Sequence, residues 1–541
     1  MKVTRRSFIH YAASASVSAA ALTSMGVMGQ PIAPKKNNVL FIAIDDLNDW
    51  IGALGAHPQA KTPNIDRLFH RSTAFINAHC QVPVCGPSRT ALLTGMSPTT
   101  TGLYTNKELG IKPFAPVAES VLGRSPVLPQ HFKNNGYYTM ASGKISHHGT
   151  ADFRHAEQWH EEIPLYVIGS RDAHIFANGY GYGSYGKDDH KYYPFPVGGG
   201  QIIQSEHYGP GTPGMSLCSG ALERRDIPNG GVMPDEYFAD WTVERLKKTY
   251  DKPFFMACGF IRPHVPYTAP KEYFDLFPLD DVIVPETISK EMADIPLYGK
   301  ALALGIIPNG DAAAVEKINM RKELVQAYLA CIAFVDAQVG KLLDTLDASP
   351  HAHNTTVIFW GDHGQNFGEH MNYRKQTLWG ESTRVPLLIS EAGQKQGQIC
   401  RQAVSLLDVY PTLVEMCGLP KVATNEGISL VPLLRNPNFD RKIPVLTTYG
   451  YQCHAIRDQR YTYIRYRDGG EELYDRSVDA DEHHNLASDK QYQAIKIKMA
   501  QWLPQNDALP FGMKDFDNEG GDFITKILAK FENNGIPAYL Q

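Results

Sequence analysis

The run Asn38-Val39-Leu40-Phe41-Ile42-Ala43-Ile44 is apolar at every position after its first, and it stops abruptly at Asp45-Asp46. A strand with one face in water alternates apolar and polar residues. A continuous apolar run fits a strand buried on both faces, as in a parallel sheet with helices on either side. Such sheets gather ligands at the carboxyl ends of their strands, which is where the two acids stand. Similar short runs recur at Tyr137 to Ser142, Phe254 to Phe260, Thr356 to Trp360 and Val385 to Ile389. Between them lie helical patterns, the clearest with Leu324, Tyr328, Ile332, Val335, Val339, Leu342 and Leu346 on one face. The expected class is α/β, with a large, mixed and mostly parallel sheet between helices.

The pattern changes after Pro432 to Pro444. Val445 to Tyr449, His454 to Arg457 and Tyr461 to Tyr466 read as short strands joined by charged turns. They predict a smaller C-terminal antiparallel subdomain, so the expected division is an export segment over 1–34, an α/β body over 35–437 and the subdomain over 438–541. The stretch from Ala151 to Asp235 is rich in Gly, His and Tyr and shows little periodicity. It is expected to be a long excursion that shapes a substrate pocket, with His174, Asp188, His190, Tyr192 and Tyr193 either as candidate contacts to what binds there or as residues that merely pack the loop.

Thr4-Arg5-Arg6-Ser7-Phe8-Ile9 precedes a small-residue, mildly apolar stretch to about Met28, with no acid before Asp45. This reads as a twin-arginine signal for a periplasmic or secreted protein. The stretch is too weakly apolar for a membrane anchor. Its removal takes the net charge from −5 to about −8, which argues against nucleic acid as a partner while leaving room for a local basic pocket. The 8 cysteines are scattered with no CxxC pair, and their spacing does not reveal any pairing.

Cys85-Gly86-Pro87-Ser88-Arg89 is followed by Leu93-Thr94-Gly95. A lone thiol beside Pro-Ser-Arg has little structural use unless it is a buried cysteine before a turn. Asp362-His363-Gly364 ends the Thr356 to Trp360 run as Asp45-Asp46 ends the first. Two acidic clusters at strand ends suit one hard cation, although each alone also suits a helix cap or a turn.

The pattern Cys-x-Pro-Ser-Arg then Thr-Gly resembles the signature of type I sulfatases, whose cysteine is oxidised to formylglycine. Asp45-Asp46, Thr62-Pro63-Asn64-Ile65-Asp66, Gly143-Lys144, Asp362-His363-Gly364 and Gly368-Glu369-His370 follow the order expected of that family. Gly143-Lys144-Ile145-Ser146-His147, Arg262-Pro263-His264-Val265-Pro266-Tyr267, and Gly368-Glu369-His370 with Lys375 resemble the iduronate-2-sulfatase branch and its bacterial relatives. Leu407-Asp408-Val409-Tyr410-Pro411-Thr412 and Glu472-Leu473-Tyr474-Asp475 resemble structural signatures of sulfatases.

The resemblance implies an alkaline-phosphatase-like sulfatase fold and one calcium ion held by Asp45, Asp46, Asp362 and His363 with the modified Cys85. His363 is an unusual calcium ligand and in this family touches either metal or sulfate. Arg89 would hold the formylglycine hydrate, while Lys144, His147, His264 and Lys375 would surround the sulfate and the leaving oxygen. His264 is the favoured acid, with His147 or Lys375 as alternates. The implied partners are a sulfated glycan and a formylglycine-generating maturation enzyme. The competing readings are a phosphodiester or phosphonate hydrolase of the same superfamily and a non-catalytic glycan-binding protein on the same scaffold. The second would be expected to lack the nucleophile or the metal ligands, and here none is missing.

Overall fold

The computed structural model describes residues 36–106, 123, 125–147, 155–164, 219–227, 231–265, 267–287, 291–304, 315 and 319–541. The export segment, Cys218, Pro266, His174, Asp188, His190, Tyr192 and Tyr193 lie outside them. Strands β1 (Asn38–Ile44), β2 (Thr73–His79), β3 (Tyr138–Gly143), β4 (Glu161–Pro164), β6 (Phe254–Phe260), β8 (Thr355–Gly361), β9 (Arg384–Ser390) and β10 (Gln398–Cys400) form one sheet in the order β10-β2-β9-β8-β1-β6-β3-β4. β11 (Val404–Ser405) also pairs with β2. The ladder from β8 through β1, β6 and β3 to β4 is parallel, whereas β9 runs antiparallel to both β8 and β2.

The unbroken apolar run of β1 serves both faces of this sheet. Leu40, Ile42 and Ile44 enter one core, and Val39, Phe41 and Ala43 enter the other. Each large side chain so buried contributes about 1.5–3 kcal/mol. Helices α2 (Pro234–Leu246) and α3 (Arg321–Ala348) supply side chains to the first core, and α1 (Cys85–Thr94) supplies Leu92 and Leu93 to the second. All seven apolar positions of the expected helix face on α3, from Leu324 to Leu346, are buried in the first core. Among the described residues no helix is long and apolar enough to cross a membrane.

β12 (Val445–Thr448), β13 (His454–Arg457), β14 (Tyr461–Arg465) and β15 (Glu471–Asp475) form a separate four-stranded antiparallel sheet. It packs with the rest of residues 37–541 as one unit. Glu472 of β15 is wholly buried at this junction. It accepts hydrogen bonds from Trp379 Nε1 at 2.8 Å and from the hydroxyls of Tyr466 and Tyr474 at 2.6 Å each. Burial pushes its carboxyl up to about 7 despite these three donors. Small strands β5 (Ser219–Leu222) and β7 (Tyr267–Pro270) pair in parallel beside α3.

Candidate active site

Four neighbouring parallel strands each deliver residues to one place. Asp45 and Asp46 follow β1, Lys144 and His147 follow β3, His264 follows β6, and Asp362 and His363 follow β8. Two glycines permit this convergence. Gly143 has φ +72°, and a Cβ there would lie 2.0 Å from the Gly259 carbonyl oxygen. At Gly364 a Cβ would lie 1.9 Å from the Glu381 carbonyl oxygen, so each motif's glycine is set by a backbone at close quarters.

Cys85 is the first residue of α1 and is 1% exposed. Its sulfur lies 3.6 Å from Lys375 Nζ and 4.0 Å from Asp46 Oδ1, and both His147 and His264 share hydrogen bonds with it. Burial alone would raise the thiol, yet Lys144, Lys375 and His363 together hold it well below its ordinary value. Ser88, one turn along α1, donates to the Asp362 carbonyl at 2.6 Å and ties the helix to the end of β8.

Arg89 is completely buried. Its Nε donates to Asp362 Oδ2 at 2.7 Å, one terminal nitrogen reaches Asp45 Oδ1 at 3.3 Å, and the other donates to the carbonyls of Lys144 and Ile145. It therefore braces three strand ends at once. Lys144 pairs with Asp45 Oδ2, and Lys375 Nζ contacts Asp46 Oδ1 and Oδ2 at 2.6 and 2.7 Å. Burial would lower the Lys375 ammonium, but Asp46 and Cys85 hold it above its ordinary range.

His264 places Nδ1 2.6 Å from its neighbour's carbonyl oxygen at Val265, and Nε2 3.9 Å from Asp46 Oδ2. The short Nδ1 contact requires a proton on that nitrogen and leaves Nε2 as the atom that gains or gives one. Burial pushes the imidazole down to about 4. His363 likewise turns Nδ1 toward its neighbour's oxygen, 2.9 Å away at Gly364. Its Nε2 faces Asp46 Oδ1 at 3.2 Å and Asp362 Oδ1 at 3.6 Å without a hydrogen bond.

Ligand atoms of Asp45, Cys85, Asp362 and His363 all lie within 4.8 Å of one another, as do those of Asp45, Asp46, Cys85 and His264. Three buried carboxylates and an orphaned imidazole nitrogen are the donor set of a divalent cation that prefers oxygen, so these residues fit a metal centre. Every candidate catalytic and metal-ligating residue expected from the sequence is thus brought to one place, while the five candidate contacts between residues 174 and 193 lie outside the described residues.

Tyr328 of α3 escaped the sequence reading as anything but a core position. Its hydroxyl donates to the Asp46 carbonyl at 2.6 Å and accepts from Asn48 N–H at 3.0 Å. Asp46 sits at φ +58°, a left-handed conformation that costs an ordinary residue roughly 1–2 kcal/mol. The tyrosine pins that turn through both of these bonds. The only clue in the sequence was that a buried tyrosine hydroxyl needs a partner.

The chain belongs to the sulfatase family: the Sulfatase family model matches residues 37–419, and the model for the N-sulphoglucosamine sulphohydrolase C-terminal region matches residues 368–508. It is accordingly a sulfuric ester hydrolase, built on the alkaline-phosphatase-like sulfatase fold. A sulfatase of Formosa agariphila is 35% identical over 480 residues, spanning 87% of each chain. The iduronate 2-sulfatase of Mus musculus is 29% identical over 426 residues, spanning 71% of this chain and 69% of that one. A solved 2-O GAG sulfatase has a TM-score of 0.61 at 21% identity, covering 93% of this chain and 95% of that one.

Proposed function

We propose that this sulfatase is exported through the twin-arginine route to the periplasm or beyond and removes sulfate from a sulfated polysaccharide or oligosaccharide. The observation that carries the chemistry is Cys85, held at a helix start beside the paired Lys375 ammonium and Asp46 carboxylate. The likeness to iduronate 2-sulfatase, whose name specifies a sugar sulfate, supports the substrate class.

Oxidised to formylglycine by a maturation enzyme and hydrated, Cys85 would supply one hydroxyl to attack sulfur and a second through which sulfate leaves by carbon–oxygen cleavage. Asp45, Asp46, Asp362 and His363 would hold one calcium ion, which neutralises charge near that hydroxyl. Arg89 fixes the loop ends around residue 85 and offsets negative charge there. Lys144 and Lys375 neutralise sulfate oxygens, and His147 bonds within the same pocket. His264 protonates the leaving alcohol from Nε2.

The test is release of inorganic sulfate from a panel of sulfated polysaccharides and their oligosaccharides. Turnover of at least one carbohydrate sulfate, well above a matched phosphodiester, is expected. Hydrolysis of aryl sulfates alone, or faster cleavage of the phosphodiester, would overturn this reading.

A further inference from the structure

The loop that presents His264 is held by a buried carboxylate from a distant part of the chain. Asp235 lies in the first turn of α2 and is 2% exposed. Its Oδ1 accepts from the Ile261 N–H at 2.8 Å and its Oδ2 from the Arg262 N–H at 2.9 Å. One rigid side chain thus fixes two consecutive amides at the point where β6 ends and the His264 loop begins. The carboxylate is itself anchored: α2 packs on β3 and β6, and its Phe238 carbonyl accepts from the Ser142 hydroxyl at 3.2 Å.

Arg262 continues the restraint. Its guanidinium, in a residue 1% exposed, donates from Nε to the Thr268 carbonyl at 2.8 Å and from one terminal nitrogen to the Thr268 hydroxyl at 3.0 Å. The other terminal nitrogen donates to the His264 carbonyl itself at 3.3 Å. The His264 N–H closes a turn onto the Ile261 carbonyl at 2.9 Å. Both backbone polar groups of His264 therefore lead to residues that Asp235 or Arg262 controls. The imidazole is set in turn by its bond to Val265.

We propose that Asp235 and Arg262 are positioning residues for His264, a clasp that sets where its Nε2 points relative to Cys85 and Asp46. The proposal rests on the reading of His264 as a group acting on the substrate. Neither residue touches the reacting atoms: Asp235 acts on the backbone of the loop, and Arg262 acts on the carbonyl of the histidine. Asparagine at 235 keeps the shape but offers one acceptor oxygen and turns an NH₂ toward the second amide, so the loop must shift. A displacement of about 1 Å at a reacting group lowers turnover by as much as a hundredfold.

A double-mutant cycle on a sulfated sugar tests this, with Asp235→Asn and His264→Ala made singly and together in the full-length mature enzyme. Asp235→Asn should lower kcat roughly ten- to a hundredfold with KM within about twofold, and the double variant should match His264→Ala within about twofold. Multiplying losses, or an unchanged kcat in Asp235→Asn, would overturn the clasp. A His264→Ala enzyme of full activity would instead overturn the role given to His264. If Asp235→Asn does not fold, Arg262→Lys serves in the same cycle. It retains the charge but loses the fork that holds Thr268 and His264 together, and multiplying losses or an unchanged kcat there overturn the clasp equally.

Discussion

Lys375 Nζ sits 3.6 Å from Cys85 Sγ and between 2.6 and 2.7 Å from both oxygens of Asp46. One ammonium group therefore joins the nucleophile position to a proposed metal ligand. It arrives from a loop rather than from a strand end and takes the carboxylate of Asp46, while Tyr328 takes the backbone carbonyl of the same residue.

Replacing it with an uncharged chain of similar length, Lys375→Met, should lower kcat by about two orders of magnitude, the range seen when a preorganised charge-stabilising donor is lost. Steady-state kinetics beside a thermal melt checks this. A near-normal kcat in a folded variant would remove Lys375 from the machinery.

Cys85→Ala should abolish turnover while leaving the melting temperature within a few degrees, because the small side chain adds little to either core. In active enzyme, the peptide spanning residue 85 should be about 18 Da lighter than its cysteine form. An unmodified thiol in fully active protein contradicts the proposed nucleophile.

Exhaustive chelation should remove activity, and calcium should restore it. Asp45→Asn should weaken metal retention measured by elemental analysis, since the amide supplies one neutral oxygen in place of a carboxylate already shared with Arg89 and Lys144. Full activity with no detectable metal would exclude the cation.

His264→Ala should slow hydrolysis of a sugar sulfate far more than that of 4-nitrophenyl sulfate, whose leaving group departs without a proton. Equal losses on both would assign the proton to Lys375 or His147 instead.

Glu472 gives a prediction about stability. Its folded-state pKa of about 7 lies above the ordinary 4.5, so its favourable contribution is full below about pH 4.5 and is lost as pH rises through 7. Glu472→Gln should therefore lose less unfolding free energy than the parent between pH 5 and pH 8, by on the order of 2 kcal/mol, as read from denaturant unfolding at each pH. Parallel pH profiles would mean that the carboxylate ionises there without cost.

What could be read from the sequence was what local patterning determines. The apolar run before Asp45, the helix face from Leu324 to Leu346 and the strands around His454 and Tyr461 each lie where periodicity puts them. β2 was missed, because Thr73-Ala74-Phe75-Ile76-Asn77-Ala78-His79 mixes polar and apolar residues without a clean period. Its partners β9 and β10 are more than 300 residues away. Candidate catalytic residues were found because they cluster in short motifs. Asp235 and Tyr328 were not, since each acts through a backbone group 26 and 282 residues distant, and no local pattern encodes such a contact.

β8, β1, β6 and β3 lie side by side with unshifted parallel registers, so the centre behaves as a vernier read across the sheet. Adjacent strands are about 4.8 Å apart, the scale over which the candidate ligand atoms gather. Slipping β1 by a single residue would exchange which of Asp45 and Asp46 points to which face, and would do so while both cores still received apolar side chains. Hydrophobic burial alone therefore tolerates an alignment that would destroy the centre. The discrimination falls to the polar partners that tell the two acids apart: Asp45 is held by Arg89 and Lys144, whereas Asp46 holds Lys375 with its carboxylate and takes the Tyr328 hydroxyl on its carbonyl.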